Sequence, residues 1–291
     1  MAERPATHID AKASAGSGGQ NLADGSDLDP AQRERWRLDT LREYRIMDTD
    51  AEPAFDRVTK LVADLFDVPI ALVSLVDDKR QWFKSAHGVN VPELPRNSGL
   101  CQFVVTDEQA LVVTDPLADE RLRDNPLVTG EPFLRFYAGV PLRAYNGAVL
   151  GTLCIIDRKV RPAPDAREIE RLEDLAAIIM AEAGLRRTVA ERDEARQMLE
   201  RALNFSGIAT WQYDARTDRL TTQGAGAELW GSGFETALTT GVGFFELVHP
   251  DDRTALRAIL DEAIKNRTPY LAEYRIVNPD RGVRWNAVRG A

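Results

Sequence analysis

The sequence predicts an α+β fold: two antiparallel-sheet domains in succession, joined by a long helix. Apolar residues repeat first at helical spacing, then at period two, then at helical spacing again. Helical stretches flank the strand stretches instead of alternating with them, which argues against a doubly wound parallel sheet. The stretch from Asp165 to about Asn204 holds no Pro and a single glycine, Gly184, and is dominated by Glu, Arg, Ala and Leu.

Residues 1–30 contain "AGSGG" and almost nothing large to bury, so ordering them would go uncompensated and a disordered tail is expected. From Pro30, "PAQRERWRLDTLREY" places Trp36, Leu38, Leu41 and Tyr44 on one helical face. "EPAFDRVTKLVADLF" repeats the pattern with Phe55, Val58, Leu61, Val62 and Leu65. The period then shortens: "PIALVSLVDD", "QWFKSAHG", "ALVVTD", "RFYAGVPLRA" and "AVLGTLCIID" read as five strands of one antiparallel sheet.

The long helix follows. A heptad runs through Leu175, Ile178, Leu185, Val189, Leu199 and Leu203, although Glu182, Arg192 and Arg196 fall on the same seam. This points to a parallel homodimer through residues 170–204; the alternative is a helix that packs on the first sheet and runs on as a solvated linker. A second sheet pattern then opens with "IATWQYDAR" and "RLTTQ", followed by helical pieces around "AELWG". "VHPDDRTALRAILDEAIKN" reads as a helix with Pro250 in its first turn and Asp251 and Asp252 at its positive end. "YLAEYRIVNPDRGVRWNAVRG" reads as a β-hairpin, and the sheet it belongs to is expected to lack its last strand. The domain plan is a tail (1–30), a first domain (31–186), a helical linker (187–204) and a second domain (205–291).

A net charge of −9 and a pI near 5.1 disfavour a nucleic-acid or anionic-membrane partner, because both demand a basic face. The two cysteines lie far apart in sequence with no CxxC and no clustered His, so neither a disulfide framework nor a conventional zinc site is expected, and a reducing, cytoplasmic setting fits. No apolar run is long enough to span a bilayer. Walker-type, HExxH, GxSxG and GGDEF-like motifs and a kinase phosphoacceptor block are missing, so no catalytic residue is expected within these 291 residues.

"LVDDKRQWFKSAHGV", "LCQFVV", "LVVTDPLADERLRDNPLV" and "FYAGVPLRAYNGAVLGTLCIID", in that order, resemble a GAF domain of the bacterial sensor-kinase type over residues about 38–186. "W.YD", "HPDDR" and the late "YRI…RW…RG" segment resemble a PAS domain over residues about 205–291. The resemblance implies the input half of a two-component signalling protein, with a histidine kinase, often of the HWE class, or a diguanylate cyclase as output, or a response regulator as partner. A stand-alone ligand-binding adaptor and, remotely, a GAF-type methionine sulfoxide reductase are the other readings. It also implies a GAF pocket bordered by Arg80, Trp82, Lys84, Cys101, Asp115, Asp119, Arg121 and Tyr137, in which Arg and Lys would suit an anionic ligand of unspecified identity. Asp115, Asp119 and Arg121 can instead cap turns and pair with one another.

No cofactor is expected. Cys101 has no following His of the bilin-attaching kind; it is read as a small packing residue, with a redox role left open, and Cys154 is read as core. On the PAS side Trp211, Trp230 and Phe244 are candidate pocket residues that can equally build a core, and His249 is read as a turn or capping residue.

Overall fold

The computed structural model describes residues 6–8, 28–225, 229–230, 238–278 and 282–290. The expected tail falls largely outside the described residues. Its strand β1 (Ala6–His8) pairs antiparallel with Leu111–Val113. The chain divides into two compact units, 1–190 and 191–291.

In the first unit, α1 (Pro30–Glu43) starts at a capping box in which the Asp29 carboxylate accepts from the backbone of Ala31 and Gln32. Leu41 and Tyr44 are buried and Trp36 packs against the same cluster, as the periodicity predicts. Arg37 and Thr40 are buried with them, Arg37 because its guanidinium donates to the Val76 carbonyl at 2.7 Å. In α2 (Pro53–Phe66) the buried face is Phe55, Thr59, Val62 and Ala63, whereas Leu61 and Leu65, expected inside, are half exposed. The helix is turned by a polar contact: Thr59 Oγ1 lies 2.7 Å from Ser85 Oγ on the sheet.

The five predicted strands are β2 (Ile70–Val76), β3 (Arg80–His87), β5 (Leu111–Val113), β6 (Phe136–Arg143) and β7 (Val149–Asp157). With β1 and the short β4 (Glu93–Pro95) they form a seven-stranded antiparallel sheet, ordered β1-β5-β6-β7-β2-β3-β4. One face carries α1, α2 and the first half of α5 (Ala166–Ser206), over a core that includes Val73, Leu75, Trp82, Leu153 and Ile155. The other face is covered by α3 (Cys101–Asp107), α4 (Pro126–Thr129) and the segment between them, over Ile70, Leu72, Tyr137 and Cys154. Helix α5 begins at a reciprocal cap between Asp165 and Glu168, each side chain accepting from the other's backbone at 2.8 Å.

The second unit contains two hairpins, β8 (Ala209–Asp214) with β9 (Arg219–Gly224), and β10 (Tyr270–Asn278) with β11 (Gly282–Gly290). Helices α6 (Gly241–Leu247) and α7 (Arg253–Asn266) lie between them in sequence. The "AELWG" piece falls mostly outside the described residues. "HPDDR" forms a 3-10 turn, Pro250–Asp252, ahead of α7. The Asp252 carboxylate does not cap α7. It accepts instead from the backbone (2.8 Å) and guanidinium (2.6 and 3.0 Å) of Arg275 on β10. A bidentate guanidinium is the stronger partner, so the aspartate ties the turn to the sheet.

Candidate functional site

The eight residues named for the first pocket do not converge. Trp82 packs in the three-helix core, Lys84 lies against Phe55 of α2 and Arg80 reaches Asp48 just ahead of that helix, so the three lie on the opposite side of the sheet from Cys101 and Tyr137. A β-bulge opposite Val73 and Ser74 interrupts the alternation and brings Ser85 to the helix side as well. Arg80 is occupied by three carboxylates: Asp77 (3.0 Å), Asp48 (2.7 Å) and Glu93, which together raise its pKa. Lys84 is shielded from solvent and donates to Thr49 Oγ1 (2.8 Å), the Asp50 carbonyl (2.7 Å) and Glu52 Oε1 (2.6 Å), with the Phe55 ring 5.2 Å away. Trp82 is core. Two cations expected to await an anion are thus already neutralised by the protein's own carboxylates.

On the other face Asp119 accepts from the Arg121 backbone (2.9 Å) and side chain (2.7 and 3.0 Å), and these hydrogen bonds hold its pKa below the usual carboxylate value. Asp115 accepts from Leu117 N at 3.1 Å and stays in its own turn. The turn-capping alternative describes all three residues. Between them and the sheet, Leu100, Val104, Leu122, Val128, Leu134 and Tyr137 fill the face with buried side chains. A wide-open groove of about 570 Å³ lies elsewhere, between α1 and the β6–β7 turn, bordered by Gln32, Trp36, Thr40, Tyr145 and Asn146.

Cys101 and Cys154, distant in sequence, have their sulfurs 4.0 Å apart. Tyr137 donates to Cys101 Sγ at 3.6 Å. Gly139 makes room for this: a Cβ there would sit 2.3 Å from the Tyr137 hydroxyl. In the second unit, Trp230 is buried and Trp211 and Phe244 pack on the same cluster. Phe244 meets Tyr274 edge-on at 5.8 Å and Trp211 lies 6.4 Å from Tyr270, so the three aromatics line a core. His249 Nδ1 accepts from Asp251 N at 3.4 Å, a turn-capping geometry.

A GAF domain model matches residues 50–182 and a PAS fold model matches residues 219–291. The chain carries a GAF domain followed by a PAS fold. It is 38% identical over 136 residues, 47% of its length, to a cyclic di-GMP phosphodiesterase of Pseudomonas aeruginosa, and spans 23% of that protein. Among solved structures it resembles the GAF domain of an Acinetobacter phosphoenolpyruvate-protein phosphotransferase (22% identity, 53% of this chain and 96% of that one, TM-score 0.41). It also resembles a free methionine-R-sulfoxide reductase from Neisseria meningitidis (20% identity, 56% and 96%, TM-score 0.41).

Helix α5 runs from the GAF region toward the PAS region. Its core-facing positions Ile169, Leu172, Ala176, Ile179, Met180 and Ala183 seat it on the GAF sheet. Of the heptad residues, Leu175 packs against that same core and Leu203 is half buried, with its Cβ 2.8 Å from where a Cβ on Gly224 would stand. Ile178, Leu185, Val189 and Leu199 are exposed (40–61%). Where α5 leaves the sheet, Arg186 Nε bonds the same Glu52 oxygen that holds Lys84, at 3.0 Å, and the Arg187 guanidinium stacks on Tyr145 at 4.4 Å.

The sequence reading missed Glu52, Arg186, Ser74 and Thr152. The last two had a signal: a hydroxyl at a buried-side position of an otherwise apolar strand. Among the described residues, no helix is long and apolar enough to cross a membrane.

Proposed function

We propose that the chain is the sensory and dimerisation part of a cytoplasmic signal-transduction protein, relaying the state of its GAF domain along α5 toward the PAS fold and an output domain such as a histidine kinase. The observation that carries this is α5 itself. One 41-residue helix is held on the GAF sheet up to Ala183, is tethered at Arg186 to the Glu52–Lys84 pair, and from Leu185 onward presents Leu185, Val189 and Leu199 to solvent at heptad spacing. An exposed apolar seam on a continuous helix suits a second copy of the chain. A helix pair with two arrangements is a means of passing a change between domains.

The test is insertion into α5 between Val189 and Leu199, in a fusion to a histidine-kinase transmitter. A full heptad restores the seam and should retain autophosphorylation; half a heptad turns the seam away and should change it. Output indifferent to insertion length would refute the relay. The identity to a cyclic di-GMP phosphodiesterase favours a second output, turnover of cyclic di-GMP. Assaying the natural polypeptide for ATP-dependent autophosphorylation and for cyclic di-GMP hydrolysis separates the two.

A further inference from the structure

Five polar groups meet inside an otherwise apolar layer: Cys101 Sγ, Cys154 Sγ, Tyr137 Oη, Ser74 Oγ and Thr152 Oγ1. All five residues are at least 96% buried. Ser74 and Thr152 stand opposite each other on β2 and β7, with no hydrogen-bond partner for either hydroxyl. Burying an idle hydroxyl costs stability, and two facing each other are poor core design unless an acceptor forms between them. A neutral thiol is a weak acceptor, whereas a thiolate is a strong one. Hydrogen bonding from Cys154, the largest influence, and from Tyr137 prevails over burial and holds the Cys101 thiol below its ordinary pKa. Its neighbour is driven the other way: the bond to Cys101 and burial push Cys154 well up. The geometry is asymmetric in the same sense: it is Cys101, the first residue of α3, that takes the Tyr137 hydroxyl as a donor at 3.6 Å.

We propose that Cys101 and Cys154 are a peroxide-responsive dithiol, oxidised to an internal disulfide that ties α3 to β7. In the first step the Cys101 thiolate attacks hydrogen peroxide; the S–O bond forms, the O–O bond breaks, and hydroxide leaves to take up a proton as water. In the second step Cys154 sulfur attacks the Cys101 sulfenic acid; the S–S bond forms, the S–O bond breaks, and the departing hydroxide takes the Cys154 proton as a second water. Two thiols lose two electrons and two protons, and peroxide becomes two waters. Closing 4.0 Å to the roughly 2 Å of a disulfide draws the first residue of α3 onto the central strand β7. The proposal is independent of which output the protein drives.

The experiment uses the whole chain, reduced, freed of reductant and exposed while folded to a small molar excess of hydrogen peroxide. It is then denatured, alkylated and weighed. The expected product is a monomeric chain lighter by two hydrogen masses, with no alkylatable thiol, yielding a Cys101–Cys154 cross-linked peptide and reverting with dithiothreitol. Cys154→Ala should stop at a Cys101 sulfenic acid that dimedone captures; Cys101→Ala should leave Cys154 unoxidised. Two alkylatable thiols after peroxide, or oxygen adducts on wild type without the cross-link, would overturn the proposal. The wild-type masses decide the matter even if a variant fails to fold.

Discussion

Glu52 Oε1 lies 2.6 Å from Lys84 Nζ, and the lysine side chain it neutralises is wholly inaccessible to solvent. The two partners are not equivalent. Glu52 is about a third exposed and has a second cation in Arg186, whereas Lys84 has no other charged partner among its hydrogen bonds. Removing the carboxylate strands a buried ammonium; removing the ammonium leaves a carboxylate that water and Arg186 can serve. Glu52→Ala should destabilise the protein by about 3 kcal/mol, near the lower end for breaking a buried pair. Lys84→Met should cost about 1–2 kcal/mol, on the scale of lost charged hydrogen bonds. Urea denaturation of both variants measures the order, and Lys84→Met proving the more damaging would contradict this account.

Glu34 supplies an acid-side signature. Burial alone would raise its pKa, but hydrogen bonds from Arg37 and Arg96 prevail and bring it from 4.5 to about 2. The same arginines reach the end of β2 through the Val76 and Asp77 carbonyls. A carboxylate whose folded pKa is depressed contributes stability above its unfolded pKa and loses it as pH falls toward the folded one. Stability should therefore decline as pH drops from about 4.5 to about 2, and the decline should be shallower in Glu34→Gln. Parallel curves for the two proteins would show that the clasp does not contribute.

Gly139 tests the packing around the thiols. A methyl at this position meets the Tyr137 hydroxyl at 2.3 Å on a rigid ring that has no free space. Gly139→Ala should cost about 1–3 kcal/mol, the usual range for overpacking. Tyr137→Phe, which removes the obstructing oxygen, should recover part of that loss in the double variant. Additive losses would mean the two groups do not interfere.

The elements were largely legible in the sequence because β-branched period-two runs and 3.6-residue apolar repeats belong to local physics. The five strands and the helices α1, α2, α5 and α7 fall where the periodicity puts them, within a few residues. The short strands β1 and β4 were not, since three residues carry no measurable period. Which face of β3 met which layer was also hidden. Period two separates Trp82 and Lys84 from Phe83, but only the helices packed against the sheet decide which side is which. The closeness of Cys101 to Cys154 is a product of topology: β2 pairs with β7, and α3 covers that seam. The burial of Thr59 over Leu61 follows from one hydroxyl contact that no propensity encodes.

The exposed residues of α5 bear on the central claim most directly. Leu185 is 61% exposed, clear of the GAF core, and sits mid-seam between Ile178 and Leu199. Light scattering of the purified chain at tens of micromolar should give twice the 32.4 kDa of one chain, and Leu185→Asp should return it to a single chain with its fold intact. A wild-type protein that runs as a single chain at that concentration, or a dimer that Leu185→Asp leaves unchanged, would contradict the account.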